Sequence, residues 1–179
     1  MLPLTRLLAI IAFIVSAPLH AEFVPANDDP MQLAAAKAIV EIKNQDPGMQ
    51  AWFDNAAGFA VFPSVGKGGL VIGGAHGKGL VIVRDNIHGK TSLSQVTVGF
   101  QLGGQVYSQF VFFRDDTALN EFKRGNFELG AQASAVAVTL GASADANYNK
   151  GVAIFTLASG GLMFEASVGG QKFTYTESE

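Results

Sequence analysis

The chain has 179 residues, 49% of them hydrophobic, with no cysteine and a formal net charge of −3. The lack of cysteine excludes disulfides, thiolate metal sites and an acylated lipoprotein N-terminus. The acidic balance excludes global attraction to nucleic acid or to an anionic membrane, so any such attraction must be local.

Residues 1–21, MLPLTRLLAIIAFIVSAPLHA, read as a secretory signal: Arg6 gives the positive start, residues 7–15 the apolar core, and Leu19-His20-Ala21 the cleavage site. The apolar run is well short of the ~20 residues that span a bilayer. The expectation is an exported protein, periplasmic or envelope-associated. Residues 22–30 form a tether, and residues 31–179 are long enough for one domain with its own core.

Asp29-Pro30-Met31-Gln32 sets up a helix start, with Asp at N-cap, Pro at N1 and Gln at N3. Over residues 31–44, Met31, Ala35, Ala38, Ile39 and Ile42 share one face. This helix packs over the sheet or lies on a membrane surface; two lysines and an alanine-rich face suit packing better. Asp46-Pro47 repeats the start signal for a short helix holding Trp52 and Phe53, with Gly58 as its stop.

The period then turns to strands. Seven of the fourteen residues from Gly66 to Gly79 are glycine, interleaved with β-formers rather than with the Ser and Pro of a linker. Glycine inside strands permits bulges, bends and close backbone approach. Strands are expected over residues 59–65, 69–75 and 78–84, with His88-Gly89-Lys90 as a turn. Residues 95–102 alternate, with Val96, Val98, Phe100 and Leu102 on one face and Gln95, Thr97, Gly99 and Gln101 on the other. Residues 105–113 form a further strand, whose Phe110-Val111-Phe112-Phe113 is apolar on both faces. Asp115-Asp116-Thr117 starts a short helix that Gly125 ends. The alanines of residues 127–147 fall at period two and read as strand. Residues 152–157, 162–169 and 171–176 complete the set. The fold class expected is α+β: a strongly curved, closed, barrel-like antiparallel sheet with two N-terminal helices and one short inserted helix.

Known site chemistries fail on spacing. Gly66-Lys67 and Gly77-Lys78 lack the hydroxyl of a P-loop, and Arg84 stands where Gly89-Lys90-Thr91 would need its leading glycine. The dinucleotide pattern breaks at Val71. His76 and His88, with Asp85 between, suit turn roles better than metal ligation. Gly141-Ala142-Ser143-Ala144 departs from a nucleophile elbow at Asp145. Two histidines beyond the signal segment and no cysteine supply acid–base or covalent catalysis poorly, so no enzyme, no cofactor and no metal is expected. One local imbalance stands out: Lys67, Lys78, Arg84 and Lys90 against Asp85 alone. Placed at one end of a barrel with free N–H groups, these cations suit a phosphate headgroup; as separate turn residues they serve solubility.

Three blocks, residues 56–83, 98–122 and 129–170, resemble the SYLF domain family. They include GFAVFPSVGKGGLVIGGAHGKGLVIV, VGFQLGGQVYSQFVFFRDD and LGAQASAVAVTLGASADANYNKGVAIFTLASGGLMFEASVGG. The resemblance implies a non-enzymatic lipid-binding module, of the phosphoinositide and phosphatidic-acid class in eukaryotic members, and an exported protein in bacterial ones. Some fungal members contact actin, which is not expected of an exported chain. The basic N-terminal helix tied to membrane binding in the family corresponds to residues 31–44, where Lys37 and Lys43 match its character. The reading is a membrane-surface-associating module of the cell envelope recognising anionic phospholipid through Lys37, Lys43, Lys67, Lys78, Arg84 and Lys90. The alternatives are a small outer-membrane β-barrel or an envelope protein–protein interaction module.

Overall fold

The computed structural model describes residues 22–69, 72–98, 104–130, 133–159 and 168–178. Among these residues three α-helices, α1 (Pro30–Gln45), α2 (Met49–Asn55) and α3 (Asp116–Lys123), accompany seven strands. These are β1 (Gly58–Gly69), β2 (Ile72–Val83), β3 (Asn86–Val98), β4 (Gln105–Phe113), β5 (Val136–Ala137), β6 (Val152–Ala158) and β7 (Lys172–Glu177). They form one sheet in the order β5-β6-β4-β1-β2-β3-β7.

The centre of this sheet has no polar face. In β4, Phe110 and Phe112 point to one side, Val111 and Phe113 to the other, and all four are fully buried. Neighbouring β1 does the same, with Phe59 and Val61 opposed to Ala60 and Phe62. Strands buried on both faces need a layer on each side. On the outer side that layer is α1, through Ala35, Ala38, Ile39 and Ile42, with Trp52 and Phe53 of α2. Phe53 meets the edges of Phe59 and Phe112 at 4.9 and 5.0 Å. On the inner side it is α3, through Ala118, Leu119 and Phe122, with Leu129 and Phe127.

The helix starts follow their signals. The Asp29 carboxylate accepts the N–H groups of Met31 and Gln32 at 2.8 and 3.1 Å, and Gln32 accepts the Ala26 N–H. Asp115 caps α3 by accepting the Ala118 N–H at 3.0 Å, and Gly125 ends the turn at φ +78°. Asp46 departs from the expectation. It is buried and does not cap α2; it accepts the N–H of Gly48 at 3.0 Å and of Ser143 at 2.8 Å, while Trp52 Nε1 donates to the Ser143 carbonyl. One carboxylate thus ties the helical layer to a loop ninety-seven residues away. Ala56, not Gly58, closes α2; Gly58 opens β1.

The sheet corrects four expectations. It is not closed: among the described residues it ends at β5 on one side and β7 on the other, so it is not barrel-like, and β5 pairs parallel with β6. The glycine-rich segment forms two long strands rather than three, β1 and β2 pairing from Phe59↔Ile82 to Gly69↔Gly73. The turn expected at His88-Gly89-Lys90 lies inside β3. The hairpin turns instead at Arg84-Asp85, both with positive φ (48° and 64°), a type I′ geometry that usually recruits Asn or Gly. Among its described residues the alanine run forms only the two-residue β5 and a 3-10 turn (Ala142–Asp145), with the other described residues irregular. The expected signal over residues 1–21 and residues 70–71, 99–102, 131–132 and 162–167 of expected strands lie outside the described residues.

Pro63 sits in the middle of β1, where it cannot donate to the ladder. The register of both neighbours shifts around it, and its carbonyl accepts the Ser108 hydroxyl at 2.9 Å. This is a bulge, where central-strand proline is tolerated. Opposite it, a Cβ on Gly79 would press into the Val61 carbonyl and the Phe62 ring.

Two outcomes follow. Gly79→Val overpacks this contact and lowers stability by about 1–3 kcal/mol, whereas Gly66→Ala, with nothing within 4 Å of its Cβ, unfolds in urea close to wild type. Burial pushes the Asp46 carboxyl up, but hydrogen bonds from Ser143, Gly48 and Gly141 outweigh it and hold it below the ordinary 3.8. Its contribution is therefore present above that value and lost as pH falls through the folded one. Asp46→Asn costs about 1–3 kcal/mol at pH 7, and urea melts show the gap to wild type narrowing as pH falls below the ordinary aspartate value.

Candidate functional site

The outer helical layer does not reach the whole sheet. Along β2, Leu80 and Ile82 are buried under α1, but Lys78, His76 and Ile72 on the same face are exposed. The antiparallel register extends this bare face across β3 and β7. Lys78 stands opposite Ser92 and then Thr174; His76 opposite Ser94 and then Lys172; Lys90 opposite Thr176. The Ser92 and Thr174 hydroxyls are 2.7 Å apart. Lys78 and Lys90 are diagonal neighbours across the strand pair, about 7–8 Å apart at Cα. Neither makes an ion pair with a described residue. Lys172 does, its Nζ lying 3.5 Å from Glu128. The backbone N–H of Gln32, and more weakly Lys90, hold the Asp29 carboxyl below its usual range. At the far end of the face Ile72 and Val96 are 69% and 77% exposed.

Val96 exposes a further inversion. The alternation expected over residues 95–102 is present, but hydropathy does not set its sense. Gln95 is buried and donates to the Gly169 carbonyl at 2.7 Å, while Val96 faces outward. The inner face near this end is polar: Gln109 and Gln171 exchange hydrogen bonds at 2.8 and 3.2 Å, beside buried Tyr107 and Thr156. Burial, opposed by Gln171, pushes the Tyr107 hydroxyl up to about 12.

The six expected lipid-binding residues do not form one cluster. Lys78 and Lys90 come together on the bare face. Lys67, paired with Ala75, points to the inner face and is 7% exposed. Arg84 lies in the β2–β3 turn, nine residues along β2 from Ala75, about 30 Å at strand rise. Lys37 is exposed on α1 but pairs with Glu41 at 3.6 Å. Lys43 lies 4.8 Å above the Phe53 ring and 3.4 Å from Glu22, so it serves the packing of α1 on α2. Lys172, Ser92, Ser94 and Thr174 were not singled out in the sequence. Their period-two polarity was visible, but the β3–β7 pairing joins residues about eighty apart. His76 and His88 lie in strands rather than turns, and among the described residues no cluster of His, Asp and Glu could hold a metal ion.

Fold and face together define an open, helix-covered α+β sheet module with a basic, hydroxyl-lined face. Residues 94–179, a little under half of the chain, match the Ysc84 (SYLF) family model, described as Las17-binding protein actin regulator. The match runs from within β3 through β7 and leaves the two N-terminal helices, β1 and β2 outside it. A 140-residue stretch, 78% of this chain, is 29% identical to Beta cell expansion factor A of Aeromonas veronii. That stretch covers 53% of the relative, so the chain spans about half its length.

Proposed function

We propose that the protein is an exported, non-enzymatic module that docks on anionic phospholipid surfaces through the bare outer face of β2, β3 and β7. The observation that carries this reading is the juxtaposition of Lys78 and Lys90, with Ser92, Ser94 and Thr174 beside them and exposed Ile72 and Val96 at the rim. Lysines attract headgroup phosphates at about 1 kcal/mol each near the surface. Hydroxyls between them donate to phosphate oxygens, and rim aliphatics enter the interfacial layer. The SYLF family match of residues 94–179 supports a lipid-binding role of this general kind. The family model's description names an actin regulator; an exported protein, as proposed here, meets membrane lipids first.

Co-sedimentation with phosphatidylglycerol vesicles tests the reading against phosphatidylcholine vesicles. Wild type binds the anionic vesicles preferentially, less so as salt rises, and Lys78→Glu with Lys90→Glu lowers partitioning at least tenfold, about 1 kcal/mol or more per reversed lysine. Lys67→Met, inside the sheet, leaves binding unchanged. Equal binding to both vesicle types at low salt, or full binding by the doubly reversed protein, overturns the proposal.

A further inference from the structure

On the other side of the sheet, at its β5–β6 edge, lies a half-open cavity of about 910 Å³. Nothing in the docking face accounts for it. Its described walls come from the end of α3, residues 126–130 and 133–136, Ala146, Asn147, Asn149 and Lys150, and β6 from Val152 to Ile154. The floor is aliphatic and built from short side chains: Leu129, Ala133, Ala135, Val136, Val152 and Ile154. The alanines leave open a space that Leu or Phe at the same positions would fill. The volume falls at the upper end of the range of small-molecule pockets, about 300–1,000 Å³.

The rim is chemically distinct from the floor. Arg124, at the C-terminus of α3, and Lys150 stand over the opening with Asn126, Asn147 and Asn149. Lys150 and Gly151 both have positive φ (49° and 81°), and the Asn149↔Val152 bridge closes this tight turn, fixing Lys150 at the mouth. Neither Arg124 nor Lys150 makes an ion pair with a described residue. Of the two rim carboxylates, Glu128 is held by Lys172 at 3.5 Å, which leaves Glu121 against two cations. An aliphatic floor bordered by cations and amide donors matches a ligand with an alkyl part and an anionic end.

We infer that this cavity binds one fatty acid, its alkyl chain along the Ala133–Ala135–Ile154 floor and its carboxylate between Arg124 and Lys150. A carboxylate accepts charge-assisted hydrogen bonds from both cations, and the chain removes the alanine floor from water. The site is independent of the docking face: a vesicle-binding defect leaves it intact, and loss of the cavity leaves vesicle binding intact.

Isothermal titration of the full chain with dodecanoate below its micelle concentration tests the assignment, with dodecanol as the uncharged probe. Wild type binds dodecanoate saturably at one per chain. Ala135→Trp, which fills the floor, weakens binding at least tenfold. Lys150→Glu, on the exposed turn, weakens dodecanoate several-fold and leaves dodecanol unchanged. The doubly reversed Lys78→Glu, Lys90→Glu protein binds dodecanoate like wild type. Absence of saturable binding by wild type, or wild-type affinity in folded Ala135→Trp, overturns the inference. If Ala135→Trp does not fold, Lys150→Glu decides it: undiminished dodecanoate affinity in that variant also overturns it.

Discussion

The structure depends on two adjacent strands that have no polar side over residues 59–62 and 110–113. β1 and β4 place Phe59, Val61, Phe110 and Phe112 on one face and Ala60, Phe62, Val111 and Phe113 on the other. Fully burying such a side chain contributes about 1.5–3 kcal/mol relative to leaving it exposed, so neither face of this pair can be left to water. The outer helices and the inner α3 layer are the response. Asp46, Ser143 and Trp52 fasten the outer layer to the loop that returns beside it.

That demand ends where the aromatic content ends. Toward the β1–β2 turn the strands become glycine-rich, and among the described residues this face offers no aromatic side chain for a helix to cover, only Ile72 and Val96 at its rim. The outer face is left bare over Gly66, Gly74, His76 and Lys78, and the neighbouring strands fill it with Lys, Ser and Thr. The proposed docking face thus lies where the core needs no cover: the covered half holds the fold, and the uncovered half presents a charged surface. Glycines serve both halves differently. At Gly79 and Gly89 a side chain would collide with Val61 and Phe62 or with Tyr175 and Thr176; at Gly66 nothing is near.

Much of this was legible locally. The bounds of β4 and β6, the capped starts of α1 and α3, and the buried α1 face follow from capping residues and periodicity. What sequence could not give was pairing and sense. Gly89 looked like a turn because glycine marks turns, yet here it admits the Tyr175 ring, and the turn falls on Arg84-Asp85, which carry no such mark. Val96 looked like a core residue because it alternates with Gln95. The polar pair Gln109–Gln171 makes the inner face hospitable to Gln95, and that reverses the sense of the strand. Closure of the sheet was inferred from strand number and glycine content, whereas the alanine segment is irregular and forms only a two-residue parallel edge. The basic cluster failed for a related reason. Proximity along the chain from Lys67 to Lys90 becomes opposite faces and opposite ends once β2 runs unbroken, and the partner that completes the Lys78–Lys90 face, Lys172, is distant in sequence.

The central claim is that the face left uncovered by the helices is the one that meets the membrane. The chain contains no cysteine, so a single Ser94→Cys or Asn120→Cys carries a unique environment-sensitive fluorophore on the bare face or on α3 across the sheet. On addition of phosphatidylglycerol vesicles the account predicts a blue shift for the label at residue 94 and none at residue 120. An equal response at both positions, or a shift confined to residue 120, contradicts it.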